Sequence, residues 1–266
     1  LSPDGTKVAV FIFDQENDIW IWDLTRETLT RLTFDPGVDG RMPVWTPDGR
    51  RLAYTRNDLG DIFQVAADGS APPESLLVIP GRQLADAWSP DGRTLFYHEN
   101  NAATTRNDIM YVSLDSARAR HVFLQTQADE FGPAVSPDGR WVAYTSDESS
   151  RAEVYVRSFP EPGGKVQVSL DGGAEARWSK DGRELFYRNG DRMLAAAVQT
   201  RPTFSVVRRT ELFRGLFGAN QYHAQYDVMP DARHFVMTQG PAASSDLIVV
   251  LHWFDQLRGA ARPGSR

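Results

Sequence analysis

The feature that most constrains the fold is a turn-forming tetrapeptide, Ser-Pro-Asp-Gly or a close relative, that recurs six times along the chain. The copies occupy residues 2–5, 46–49, 89–92, 136–139, 179–182 and 229–232. Their fourth positions are therefore separated by 44, 43, 47, 43 and 50 residues. Pro presets the φ angle of a turn, Asp bonds the backbone ahead of it, and Gly accepts a positive φ.

Short apolar runs flank each tetrapeptide, as Val44-Trp45 and Leu52-Ala53-Tyr54 do around the second copy. They predict a β-hairpin with the tetrapeptide at its tip. A third run follows, usually opened by an acid as in Asp18-Ile19-Trp20, and then a weaker fourth run. The acid recurs with the repeat, which predicts a structural role for it. Four short strands per repeat are typical of propeller blades, so we predict an all-β fold, a six-bladed β-propeller of four-stranded antiparallel blades.

The repeat also predicts the domain organisation. We expect a single propeller over residues 1–258 and a flexible tail over 259–266. The blades are expected at about 1–40, 41–80, 81–128, 129–171, 172–219 and 220–255. Because the chain starts inside a turn motif, the first blade should lack its inner strand, and the last should lack its outer strand. The ring would thus be nearly complete in a piece of a longer chain, and about 20 to 25 residues upstream of Leu1 would close it.

Composition and missing motifs exclude several functions. The net charge of −6 and the absence of a basic stripe argue against nucleic-acid binding, and no run of apolar residues is long enough for membrane insertion. The chain has no Cys, no Gly-x-Ser-x-Gly and no His-Glu-x-x-His. We therefore predict no catalytic residues, no metal ligands and no cofactor. Strand histidines such as His98 are interpreted as solvated or hydrogen-bonded, whereas His223 stands apart because it precedes an inner strand.

The predicted binding site lies where the loops enter the inner strands, because ligands favour the mouths of such channels. These segments differ between repeats, and they contain aromatic, Arg and acidic side chains that suit a protein or peptide partner. The candidate binding residues are Arg41, Asp86, Glu130, Phe131, Glu175, Arg177, Tyr222, His223 and Gln225. Arg177 and Asp227 occupy equivalent positions in neighbouring repeats, which predicts that they pair across the groove between blades.

The recurrent Trp-Ser-Pro-Asp-Gly-Arg, followed by an apolar strand and Asp-Ile-aromatic, resembles the PD40 (WD40-like) repeat of TolB-like β-propellers. The resemblance covers essentially the whole chain, and residues 246–254 are similar to the last strand of the C-terminal propeller of bacterial membrane Ser/Thr kinases. It implies a non-catalytic binding platform or scaffold in an extracytoplasmic, bacterial setting. Two alternatives stay open: an accessory or sensor propeller of a larger membrane kinase or serine peptidase, and small-molecule or sugar binding in the channel. The oligomeric state is left open.

Overall fold

The computed structural model of the chain describes residues 1–12, 17–34, 40–56, 60–100, 106–115, 118–161, 163–218, 222–238 and 247–250. These residues form successive antiparallel sheets, and the strands of each sheet are adjacent in sequence. None of the described residues belongs to a helix long and apolar enough to cross a bilayer.

The first sheet contains β1 (Lys7–Ile12), β2 (Asp18–Asp23) and β3 (Thr28–Arg31). The second contains β4 (Gly40–Trp45), β5 (Arg51–Arg56), β6 (Asp61–Ala66) and β7 (Glu74–Leu77). The third contains β8 (Arg82–Trp88), β9 (Thr94–Asn100), β10 (Asn107–Ser113) and β11 (Arg120–Leu124). The fourth contains β12 (Glu130–Val135), β13 (Trp141–Ser146), β14 (Glu153–Ser158) and β15 (Val166–Gln167). The fifth contains β16 (Ala174–Trp178), β17 (Glu184–Asn189), β18 (Arg192–Gln199) and β19 (Ser205–Arg214), and the last contains β20 (Tyr226–Val228), β21 (Phe235–Thr238) and β22 (Leu247–Val250).

The apolar core is divided among the spaces between consecutive sheets. Between the fourth and fifth sheets, for example, Ala143 and Val156 pack with Leu185, Tyr187 and Ala196. Each of the five spaces between consecutive sheets holds such a cluster of buried side chains. A strand inside a sheet therefore buries both of its faces, which explains why the apolar runs after the turns are almost continuous rather than alternating.

The strands that lie innermost in each sheet surround a channel. In sequence order β1, β4, β8, β12, β16 and β20 each contact the next. This arrangement of radially placed antiparallel sheets is a β-propeller, as the repeat predicts.

The prediction of six four-stranded blades is wrong. Among the described residues only the four middle sheets have four strands, and the sheets at the two ends have three each. In the first sheet the turn at residues 2–5 leads directly into β1, whereas in the second sheet the equivalent turn joins β4 to β5. The space between the last and first sheets also holds no apolar cluster among the described residues. The predicted end of the last blade and the tail at 259–266 lie outside the described residues.

Candidate functional site

Backbone irregularities shape the inner wall of the channel. The pairing register of β4, β8, β12 and β16 with the following strand shifts near the middle of each strand, as in a β-bulge. At the shift, φ is positive for Met42 (59°), Gly132 (60°) and Glu175 (60°). A bulge breaks strict side-chain alternation and changes the direction of neighbouring side chains, and bulges are common beside functional sites.

A cavity of about 370 Å³ lies at this wall and collects residues from several sheets. Eight of the nine predicted binding residues line it: Arg41, Asp86, Phe131, Glu175, Arg177, Tyr222, His223 and Gln225. The structure therefore brings these residues together from five different repeats. That they bind a ligand stays a prediction.

Glu130 is the exception, because it does not line the cavity. Its neighbour Phe131 faces the cavity, and successive side chains of a strand point to opposite faces. Glu130 is instead buried away from the cavity, where one carboxylate oxygen accepts a hydrogen bond from the Thr126 hydroxyl at 2.5 Å. Burial raises the pKa of Glu130 to about 7, the Thr126 hydrogen bond opposes the shift, and the charges of Asp108 and Glu148 add to it.

Glu175 joins β16 to the segment before β20, and its carboxylate is engaged in these contacts. One of its oxygens accepts a hydrogen bond from the backbone N–H of Gln225 at 2.8 Å, and the other lies 3.5 Å from the guanidinium of Arg188. The hydroxyl of Tyr226 donates to the Glu175 carbonyl at 2.7 Å. These contacts fix the segment before β20 against β16, so the residues of that segment are held over the cavity.

Two aromatic rings form one side of the site. The ring of Tyr222 packs edge to face on Phe131, with centroids 5.2 Å apart and an interplanar angle of 74°. The same tyrosine ring is stacked with the imidazole of His98 at 6.2 Å. Phe131 is buried and Tyr222 is half-buried, so Tyr222 is the member of this pair that a ligand could reach.

A carboxylate and two imidazoles meet at the wall of the cavity. Nδ1 of His98 lies 2.8 Å from one oxygen of Asp86, and Nδ1 of His223 lies 3.5 Å from the other. One potential ligand atom from each of the three residues lies within 4.8 Å of the other two. Burial raises the pKa of Asp86, although the charges of His98 and Arg177 oppose the shift. Burial also lowers the pKa of His223 well below its usual value, and the charges of His98 and Arg177 add to that effect.

The sequence analysis missed His98 as a member of this site. It was interpreted as a solvated or hydrogen-bonded strand residue, and it is in fact hydrogen-bonded and fully buried. A signal was present, because His98 follows a buried Tyr at a position that three other repeats fill with Thr or Arg. The equivalent residues are Thr55, Thr145 and Arg188. At this repeat position His98 and Arg188 replace Thr, and each lies beside a buried acid. His98 lies beside Asp86, and Arg188 lies beside Glu175.

The predicted pair between Arg177 and Asp227 is wrong. Among the described residues no ion pair joins the two side chains, and the Arg177 guanidinium donates to the carbonyl of Ala176 at 3.1 Å. Arg177 nevertheless acts on Asp227 through its charge. Burial opposes ionisation of the Asp227 carboxyl, whereas the positive charge of Arg177 favours it.

No family model matches the chain, but the fold is similar to those of solved propellers. TolB from Acinetobacter baumannii gives a TM-score of 0.70 at 16% sequence identity, over 92% of this chain and 61% of TolB. Oligogalacturonate lyase in complex with manganese gives 0.65 at 16% identity, over 92% of this chain and 70% of the lyase. A puromycin hydrolase gives 0.64 at 14% identity, over 92% of this chain and 44% of that protein. The expected resemblance to TolB-like propellers is thus confirmed for the fold, and propellers with this fold also occur in enzymes.

Proposed function

We propose that this propeller is a non-catalytic platform that binds a protein or peptide at the channel mouth, with an anionic group of the ligand at Arg177. The observation that carries the proposal is the cavity itself. It gathers side chains that vary between repeats, whereas side chains that recur with the repeat lie in turns and between sheets. Positions that a fold does not need in every repeat are available for recognition.

The charges at the cavity favour an anionic ligand group. Two of its carboxylates are already engaged, since Glu175 contacts Arg188 and a backbone N–H, and Asp86 contacts two imidazoles. The guanidinium of Arg177, by contrast, donates only to the neighbouring carbonyl of Ala176 among the hydrogen bonds of the described residues. A guanidinium has five N–H donors in a fork that matches a carboxylate, so Arg177 can bind one.

The aromatic side of the cavity supplies the apolar part of the contact. Tyr222 is half-buried against Phe131 and presents both a ring and a hydroxyl. Tyr and Arg are the residue types that most often dominate binding energy in interfaces. A segment with an acidic residue beside an apolar or aromatic one would match this surface.

The setting of the module is proposed from the resemblance to TolB-like propellers. It is an extracytoplasmic, bacterial one, and the propeller would serve there as a scaffold or sensor. Two uses fit that role, a propeller that acts alone and an accessory module of a larger membrane kinase or serine peptidase. Both require a binding surface at the channel mouth.

The proposal is tested by selecting short random peptides displayed on phage against the immobilised protein, in buffer that contains EDTA. Enriched peptides are then synthesised with a fluorophore and titrated by fluorescence polarisation. We expect the enriched sequences to share an Asp or Glu next to an apolar residue. Arg177→Met and Tyr222→Ala should each weaken their binding by about tenfold or more, because each removes a central contact.

The control is Arg140→Met, which removes an exposed arginine from the turn after β12 that does not line the cavity. It should leave the affinity within about twofold of the wild-type value. Selection that enriches no peptide, or peptides whose affinity is insensitive to Arg177→Met and Tyr222→Ala, would refute a peptide site here. That result would favour the small-molecule alternative.

A further inference from the structure

Three ligand-type side chains from distant parts of the chain converge on one point of the channel wall. Asp86 lies at the bulge of β8, His98 on β9, and His223 in the segment before β20. The two oxygens of the Asp86 carboxylate face Nδ1 of His98 at 2.8 Å and Nδ1 of His223 at 3.5 Å. We propose that Asp86, His98 and His223 together bind one divalent transition-metal ion.

A structural hydrogen-bond network accounts for only part of this cluster. The Asp86–His98 contact is a good hydrogen bond, but 3.5 Å between Asp86 and His223 is long for one. Nε2 of His98 and Nε2 of His223 are both buried without a hydrogen-bond partner among the described residues. Hydrogen bonds within the protein therefore do not satisfy all the ring nitrogens of this cluster.

The chemistry of the donors matches a transition metal better than an alkaline-earth ion. Two imidazoles and one carboxylate suit Zn²⁺, Fe²⁺, Co²⁺ and related ions, whereas Ca²⁺ and Mg²⁺ prefer oxygen ligands. Bonds of about 2.0–2.2 Å to one ion place the ligand atoms about 3–3.5 Å from one another. One potential ligand atom from each residue lies within 4.8 Å of the other two, so side-chain rotations that shorten these separations would bring all three to one ion.

The surroundings neither block the site nor repel a cation strongly. Asp86 and His223 line the cavity, so an ion held by three protein ligands would keep at least one coordination position open towards it. The cavity lining also contains the carboxylates of Glu175 and Asp227, which with Asp86 offset the guanidinium groups of Arg41 and Arg177. The proposed ion is thus a feature of the channel wall, separate from the anion contact at Arg177.

The experiment is a Co²⁺ titration of protein from which metal has been removed by EDTA and dialysis. We expect visible absorption bands of protein-bound Co²⁺ that saturate at one equivalent and disappear when Zn²⁺ competes. Elemental analysis after Zn²⁺ loading and dialysis should also give about one Zn²⁺ per chain. His223→Gln should weaken Co²⁺ binding by about tenfold or more, because it removes one of three ligands.

The matched control uses a second His–Asp pair on the surface. Nδ1 of His234 lies 2.5 Å from Asp231 within the last turn, so His234→Gln removes the same kind of contact outside the cavity. It should leave the Co²⁺ titration unchanged. His223→Gln is the deciding variant because His223 is partly exposed, and its fold is checked by circular dichroism; Asp86→Asn gives a second test of the ligand set.

The proposal is overturned by a titration without saturable bands, by Co²⁺ binding that His223→Gln and Asp86→Asn leave intact, or by binding that His234→Gln abolishes. Because the peptide titrations contain EDTA, their outcome is independent of this one.

Discussion

At the scale of single residues, Glu130 is the side chain whose charge the fold opposes most clearly. It is 2% exposed, and one of its carboxylate oxygens is buried without a hydrogen-bond partner among the described residues. Burial is the main cause that raises its pKa to about 7, and Asp108 and Glu148 add negative charge nearby. The folded state therefore prefers the protonated, neutral form of this residue.

This preference predicts how stability depends on pH. Between about 4.5, the unfolded value, and about 7, the folded state binds a proton that the unfolded state has released. The free energy of unfolding should therefore fall as the pH rises through that window, by about 3 kcal/mol in total from this group. Glu130→Gln keeps the shape of the neutral acid and cannot ionise, so it should lose this part of the pH dependence.

The measurement is urea unfolding of the wild type and Glu130→Gln at several pH values from 4 to 8. As the pH rises, the free energy of unfolding of Glu130→Gln should increase relative to that of the wild type. Glu161→Gln, at an exposed position, should shift the wild-type curve little at any pH. Parallel curves for the wild type and Glu130→Gln would show that Glu130 ionises normally in the folded protein.

Residue by residue, the site could be predicted where the repeat locates the channel. The variable segments before the turns supply eight predicted residues that are among those lining the cavity. Glu130 could not be separated from Phe131 in this way, because which of two adjacent strand residues faces the channel depends on the bulge in β12. The repeat marks His98 as unusual but does not predict the cluster around it, because Asp86, His98 and His223 follow no ligand-spacing motif and are brought together only by the fold.

At the scale of elements, the turns confirm the role that the sequence assigned to them. In the turn at residues 89–92, the Ser89 hydroxyl donates to Asp91 at 2.6 Å and accepts the N–H of Thr94 at 2.9 Å. Asp91 also accepts the N–H of Arg93 at 3.0 Å. Four other copies repeat the bond from the hydroxyl to the Asp, at 2.6 to 2.8 Å. The turn serines and threonine are thus occupied by structural hydrogen bonds.

The acid that opens the third strand is likewise structural, as predicted. Asp18 accepts a hydrogen bond from the hydroxyl of Thr33 at 2.6 Å, and Asp108 accepts one from Gln125 at 2.9 Å. Glu153 accepts the backbone N–H of Gly172 at 2.9 Å and pairs with Arg151. In each case the acid ties its strand to the chain just beyond the fourth strand or to a nearby Arg. The corresponding residue of the last repeat, Asp246, lies outside the described residues.

The last turn differs from the others at its fourth position, where Ala232 replaces Gly and has a φ of 54°. An L-residue with a side chain is strained in this left-handed region by about 1–2 kcal/mol, and Gly is not. Ala232→Gly should therefore raise the free energy of unfolding by about 0.5–1 kcal/mol, after the greater flexibility of Gly in the unfolded chain is subtracted.

The reciprocal control is Gly190→Ala, at a φ of 60° with nothing within 4 Å of an added Cβ. It should lower the free energy of unfolding by a similar amount, since the added methyl group meets no neighbouring atom and only backbone strain and unfolded-chain flexibility change. Urea unfolding at fixed pH measures both. A neutral or destabilising Ala232→Gly would mean that the Ala232 methyl group makes favourable contacts that offset its strain.

At the scale of the whole molecule, the ring is uneven. Apolar clusters join each sheet to the next along the chain, whereas among the described residues the first and last sheets meet through their turns, at Gly5 and Pro230. The repeat predicts the sheets and their order because turn chemistry and strand patterns are local. The sequence predicts the incomplete end sheets from the positions of the first and last turns, but it does not predict how these two sheets pack, because that depends on contacts between distant parts of the chain.

A row of contacts between turns runs around the molecule. An added Cβ at each turn Gly of the second to fifth sheets would lie 3.5 to 3.7 Å from the turn Pro of the preceding sheet. The pairs are Gly49 with Pro3, Gly92 with Pro47, Gly139 with Pro90, and Gly182 with Pro137. A Cβ added at Gly5 would lie 2.7 Å from the ring of Pro230 in the last sheet. The first and last turns are therefore packed more tightly than any of these neighbours.

This contact can be measured separately from backbone strain. Gly5 and Gly69 have similar φ angles of 76° and 70°, but an added Cβ at Gly69 meets nothing within 4 Å. Gly5→Ala and Gly69→Ala should share the cost of a positive φ, and Gly5→Ala should cost about 1–3 kcal/mol more because it overpacks against Pro230. Thermal and urea unfolding measure the stability lost in each variant. Adding Pro230→Ala to Gly5→Ala should recover part of the additional loss, because it removes the proline side-chain atoms that the new methyl group meets. Equal costs for Gly5→Ala and Gly69→Ala would show that the first and last turns are not packed together in solution, and that the ring is open at this point.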